Sequence, residues 1–155
     1  MIIETTKSVE LPNLVVGNLP KHQIVQDAPS KDHFITKDGM RFAGYHLIAD
    51  FWGCSKINEL DLMEQAMRDA VTAAGATLLH IYLHHFTSND GISGVAVLAE
   101  SHISVHTWPE FGFAAFDIFM CGDARPHEAV RVLKSAFNPQ NTLVDELQRG
   151  NEDLV

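Results

Sequence analysis

Residues 91–122 read GISGVAVLAESHISVHTWPEFGFAAFDIFMCG. Three runs rich in β-branched and aromatic residues lie here, at 95–99, 103–108 and 114–120. The links between them are too short for a helix, so the strands they predict pair antiparallel. Glu100-Ser101-His102 is the first link, and Cys121-Gly122-Asp123 ends the third strand. Upstream, TLLHIYLHHF over 77–86 reads as another strand, and Ser88-Asn89-Asp90-Gly91 is a turn suited to positive φ. Before it, Ile57, Leu60, Met63, Met67, Ala70, Val71 and Ala74 recur at three- and four-residue spacing. That spacing predicts a helix with Asn58 as N-cap and Gly75 as stop. The alternation of FAGYHLIADF over 42–51 predicts a strand ahead of it. Downstream, Pro126 suits the first turn of a helix whose apolar face is Ala129, Val130, Leu133, Ala136 and Phe137. Pro139 stops that helix, and 142–147 reads as a last strand. The order β-α-β-β-β-β-α-β implies an α/β fold: a two-layer α/β sandwich, a mainly antiparallel sheet with both helices on one face.

Residues 1–40 differ from the rest. Pro12, Pro20 and Pro29 interrupt them and no periodicity is sustained. They read as an irregular N-terminal extension, docked through Leu14-Val15-Val16 and closed by the turn signal Lys37-Asp38-Gly39. Residues 41–155 form the single folded domain. At 155 residues and 46% hydrophobic content the chain needs no disulfide or structural metal to bury a core. Eleven basic against 20 acidic residues give a net charge of −9, which disfavours a sequence-independent nucleic-acid binder. No apolar run approaches the roughly 20 residues of a membrane span. The N-terminus lacks the basic stretch and apolar block of a signal peptide. Cys54 and Cys121 make no disulfide framework, so a reduced, cytoplasmic setting is expected.

Several familiar motifs fail on inspection. Gly91-Ile92-Ser93-Gly94 is one residue short of the hydrolase elbow and enters a strand instead of leaving one. His102 and His106 have the spacing that binds zinc on a helix, but on a strand they stand about 13 Å apart. No metal site is expected, and no phosphate loop or dinucleotide fingerprint occurs.

The segment nevertheless resembles the processing and active-site region of the prokaryotic S-adenosylmethionine decarboxylases, whose pyruvoyl group is made from their own chain. The resemblance rests on Glu100-Ser101-His102, on His106-Thr107-Trp108-Pro109-Glu110 and on Gly112-Phe113-Ala114-Ala115. It continues through Asp117-Ile118-Phe119-Met120-Cys121-Gly122. Gly44-Tyr45-His46-Leu47, His85-Phe86 and Gly91-Ile92-Ser93-Gly94 extend it. The similarity implies self-cleavage between Glu100 and Ser101. Ser101 Oγ would attack the Glu100 carbonyl to form an ester, with Ser93 meeting the oxyanion. His106 would then remove the Ser101 Cα proton, and elimination and loss of ammonia would leave a pyruvoyl group. The group would form a Schiff base with S-adenosylmethionine and accept electrons as carbon dioxide leaves. Cys121 is implied as proton donor in catalysis, Glu110 as acceptor for the ribose hydroxyls and Phe86 as adenine platform. The product, decarboxylated S-adenosylmethionine, is the aminopropyl donor for spermidine synthesis. A homodimer with sites near the subunit interface is also implied.

Plainer readings stand beside these. Ser101 and Ser93 can be turn serines, His106 a strand histidine, Cys121 a small buried hydrophobe, Glu110 a solvated carboxylate and Phe86 part of the core. His46, His80 and His84 read as sheet-face residues without catalytic work, and Cys54 as structural. Two rival functions remain: a pyruvoyl-dependent decarboxylase of arginine or ornithine on the same scaffold, and an uncut, non-catalytic regulatory partner.

Overall fold

The computed structural model describes residues 33–152. Positions 1–32 of the extension, with Leu14-Val15-Val16, lie outside the described residues. The remainder of the extension leads into a hairpin, β1 (Ile35–Lys37) and β2 (Met40–Phe42). Asp38 and Gly39 join them at φ of 52° and 81°. Positive φ at both central positions is the turn that matches strand twist, and Asp-Gly is its preferred pair. Met40–Phe42 therefore belongs to this hairpin, and the strand expected from Phe42 begins at Gly44.

Six strands form the main sheet: β3 (Gly44–Trp52), β4 (Leu78–His85), β5 (Ile92–Leu98), β6 (Ser101–Trp108), β7 (Phe113–Cys121) and β8 (Asn141–Arg149). Their spatial order is β4-β5-β6-β7-β3-β8, and each neighbouring pair is antiparallel. Helices α1 (Leu60–Ala74) and α2 (Pro126–Phe137) complete the chain order. The two-layer sandwich read from the sequence is the observed fold.

The alternation of each strand sets the layers. Leu47, Ala49 and Phe51, Ile103 and Val105, and Ala114, Phe116, Ile118 and Met120 are buried. They pack with Met63, Met67, Ala70, Leu133 and Phe137 of the helices in one core. The intervening residues face away from the helices (period two in a strand) and line an open sheet face. Gly75 ends α1 in the left-handed region with its N–H on Thr72, as expected. The expected N-cap differs. Glu59 holds that position without a side-chain bond, while Asn58 Nδ2 donates to Asp90 Oδ2 at 2.6 Å. A tertiary partner thus outcompeted the local cap. Asn138, left-handed at φ 43°, ends α2 one residue before Pro139.

Candidate active site

Two ends of the β5–β6 hairpin carry the reactive side chains. At one end Leu98 pairs with Ser101, so Ala99 and Glu100 are the whole turn. Ser101 and His102, expected in the link, belong to β6. Glu100 has φ of 60° and Ala99 does not share the positive region. Positive φ at the second central residue alone is the place glycine normally fills in a type II turn. A glutamate there stores of order 1–3 kcal/mol of strain in the peptide leading to Ser101.

Two groups of Cys121 hold this peptide. Its backbone N–H donates to Ser101 Oγ at 3.2 Å, and its Sγ donates to the Glu100 carbonyl oxygen at 3.3 Å. Burial, and then the Glu100 carboxylate, push the thiol above its ordinary pKa, with the contact to Ser101 opposing. Cys121 therefore keeps its proton at neutral pH. His33 also reaches this end. Its Nδ1 lies 3.5 Å from Glu100 Oε2 and its carbonyl accepts the Gly122 N–H at 2.9 Å. Beside the turn, on the open face, a cavity of about 490 Å³ is lined by Glu100, Ser101, His46, His102, Phe119 and Arg149.

At the other end of the hairpin Ser93 pairs with His106, and Ser93 Oγ lies 2.8 Å from His106 Nδ1. Gly94 lets β4 approach β5 closely beside this pair. A Cβ at Gly94 would stand 2.3 Å from the Tyr82 carbonyl oxygen. A smaller cavity of about 190 Å³ is lined by Phe86, Asn89, Ser93, His106 and Trp108. Its rim is braced: Phe86 N–H donates to Gly91, and His85 Nε2 and Asn58 hold Asp90. The hydrogen bond from Asn58 and then that from His85 lower the Asp90 carboxyl pKa. Glu110 follows in the short 3-10 turn Pro109–Phe111.

Within one chain the predicted residues thus fall into two groups. Ser101, Glu100 and Cys121 meet at one end. Ser93, His106 and Phe86 meet at the other, with Glu110 in the next turn. Ser101 and His106 are five positions apart on one strand, about 16 Å at 3.3 Å per residue. His106 does not reach Ser101 of its own chain.

Between the ends runs a polar row of Arg149, His46, Asp117 and Ser104. Arg149 Nη1 donates to His46 Nδ1 at 3.1 Å. His46 Nε2 is buried without a hydrogen-bond partner, 3.5 Å from Asp117 Oδ1. Ser104 Oγ donates to Asp117 Oδ2 at 3.2 Å. Because an arginine cannot accept, His46 Nδ1 must offer its lone pair, which puts the proton on Nε2. Burial, and then His46, hold His102 below the ordinary imidazole pKa, while Asp117 opposes. His46, expected to be a sheet-face residue without catalytic work, and Arg149, not named among the expected site residues, both line the cavity beside Ser101. Trp108 lines the smaller cavity, and its ring stacks on Phe113. Among the described residues no group of three metal-ligating side chains converges. No described helix is long and apolar enough to cross a membrane.

These features define a two-layer α/β protein that displays serine, histidine and thiol chemistry on the helix-free face of one antiparallel sheet. The family described as S-adenosylmethionine decarboxylase matches residues 45–150. A Thermomicrobium roseum protein named S-adenosylmethionine decarboxylase proenzyme is 45% identical over 112 residues, 72% of this chain and 97% of that one. A Methanococcus maripaludis protein of the same name is 42% identical over 114 residues, covering 72% and 93%. The crystal structure of the adenosylmethionine decarboxylase from Aquifex aeolicus superposes with a TM-score of 0.63 at 30% identity, covering 70% of this chain and 92% of that one. The chain belongs to the S-adenosylmethionine decarboxylase family.

Proposed function

We propose that this chain is a self-processing decarboxylase that converts S-adenosylmethionine to decarboxylated S-adenosylmethionine, using a pyruvoyl group generated from Ser101. The carrying observation is the strained Glu100 peptide with the Cys121 thiol on its carbonyl oxygen. Attack by Ser101 Oγ on the Glu100 carbonyl carbon breaks the C–N bond, relieves the positive φ and builds negative charge on the oxygen that Cys121 already faces. The Cys121 N–H on Ser101 Oγ fixes the nucleophile. A base then takes the Ser101 Cα proton, and the bond from Cβ to the ester oxygen breaks, freeing the Glu100 carboxylate. The dehydroalanine tautomerises to an imine, and water releases ammonia. The ketone left at the head of residues 101–155 supplies an electron sink for loss of carbon dioxide from an amine-linked amino acid. Cys121, held as a thiol, is the proton donor to the substrate's α-carbon.

The base comes from a second copy. His106 in the tautomer whose Nδ1–H donates to Ser93 keeps a lone pair on Nε2, yet its own Ser101 is out of reach. Two chains stacked open face to open face, with their strands reversed, bring Ser93–His106 of one over the end of the sheet that carries Ser101 and Cys121 in the other. The open face suits such burial: Tyr82 is 59% and Trp52 46% exposed in the single chain. In this homodimer Phe86 and Glu110 take the adenine and the ribose hydroxyls. Two free thiols suit a reducing cytoplasm.

An intact-mass spectrum tests the reading: two fragments separated between residues 100 and 101, the second starting with a carbonyl reactive toward hydrazine. One unbroken chain without that carbonyl refutes it. Carbon dioxide release from S-adenosylmethionine, arginine and ornithine, measured in parallel, tests the substrate.

A further inference from the structure

The cavity beside Ser101 is also lined by an arginine, Arg149, that the self-processing scheme does not use. Arg149 lies opposite Gly44 on β3, and Gly44 lies opposite Cys121 on β7. This cross-strand row brings an arginine from the edge strand to the end of the sheet that holds the reacting serine. The bond to His46 Nδ1 engages one of the five guanidinium N–H groups. Among the described residues no carboxylate forms an ion pair with Arg149. Of the side chains lining the cavity it alone carries a permanent positive charge. The Glu100 carboxylate in the same cavity lies 3.5 Å from His33.

An α-amino acid joined through its nitrogen at residue 101 holds its carboxylate one carbon from that nitrogen. The carboxylate therefore enters this cavity. We propose that Arg149 receives the α-carboxylate of the substrate's amino acid head, so that the site prefers an α-amino acid over the amine it produces. The assignment rests on the decarboxylase reading above. His46 fixes the guanidinium from one side, and the planar fork has further donors for two carboxylate oxygens. The contact exists before carbon dioxide leaves and is absent afterwards, which favours exchange of product for fresh substrate. Binding made in the ground state marks KM more than kcat.

Two measurements on cleaved protein test this, each with wild type, Arg149→Gln and Arg149→Lys. In steady state, Arg149→Gln raises KM for S-adenosylmethionine about 10- to 100-fold, the loss expected for a charge-assisted hydrogen-bonded pair. The inhibition constant of the decarboxylated product stays within about threefold, and Arg149→Lys falls between. By calorimetry on protein whose ketone has been reduced with borohydride, the Kd of S-adenosylmethionine rises by a similar factor while that of the product does not. A KM that does not move, or equal weakening of substrate and product, overturns the assignment. Should Arg149→Gln fail to fold, Arg149→Lys decides by the same split. A wild-type protein that cleaves itself but releases no carbon dioxide from any α-amino acid removes the decarboxylase reading instead, and this assignment with it.

Discussion

The Cys121 thiol lies 3.3 Å from the Glu100 carbonyl oxygen, across the ends of β6 and β7. One side chain therefore serves both stages of the proposed chemistry. It faces the oxygen that gains charge during cleavage, and it holds a proton beside residue 101 for the later step. Cys121→Ala should slow self-cleavage about tenfold, the worth of one hydrogen bond to a developing charge. It should depress turnover further in whatever fraction does mature. Time courses on a denaturing gel, followed by kcat on the cleaved fraction, separate the two effects. Normal rates in both would remove Cys121 from the mechanism.

Ser101→Ala should leave the chain whole and without a carbonyl, since no oxygen remains to attack. Intact mass and hydrazine labelling read this directly, and a cut, active Ser101→Ala protein is incompatible with the scheme.

Glu100→Gly keeps the carbonyl and removes the strained side chain. In a Ser101→Ala background, which stays uncut, it should raise stability by about 1 kcal/mol, seen as a Tm higher by several degrees. With Ser101 present, cleavage should slow by about fivefold, because less strain is released. A faster cut in Glu100→Gly would show that the turn's backbone does not drive the reaction.

His106 acts across the dimer in this scheme, so two dead variants should rescue each other. Ser101→Ala and His106→Ala, each uncut alone, should yield cleaved His106→Ala chains when co-expressed. Half of the sites in a mixed dimer contain both an intact Ser101 and an intact His106. No cleavage in the mixture, with mixed dimers demonstrated by mass, would confine His106 to another role.

The lowered pKa of His102 has a definite sign. The fold opposes its protonation, so the contribution is fully present above the unfolded-state value near 6.5 and declines as pH falls below it toward the folded value. Urea midpoints between pH 7.5 and 5 should fall, and His102→Gln should flatten that fall. A wild-type midpoint that rises on acidification would contradict the assignment. His46 and Asp117 face the same imidazole and are the groups to vary next.

Much of this architecture was legible in the sequence, for local reasons. Strand alternation between residues 92 and 121, the Gly75 stop and the Asp38-Gly39 turn are encoded where they occur. The insertion of β3 between β7 and β8 is not, because pairing across more than sixty residues leaves no local mark. Ser101, His106 and Cys121 were visible through their neighbouring peptides. Their separation was also readable: the strand rise that ruled out a shared metal at His102 and His106 equally parts Ser101 from His106. Arg149 gave no signal, since it stands in a polar edge strand like any solvated residue. Asn58 looked like a helix cap and bonds Asp90 instead, a partner more than thirty positions away.

The Glu100–Ser101 junction joins two strands, β5 and β6, that are hydrogen-bonded to one another along their length. The piece beginning at Ser101 owns β6, β7, α2 and β8, with β6 and β7 interleaved between β5 and β3. Neither piece can leave without dismantling the shared core. The precursor can unfold and refold as one molecule. A chain cut there in the proposed way, once denatured, would become a pair of fragments that must find each other by collision, so its endurance would be a matter of unfolding rate.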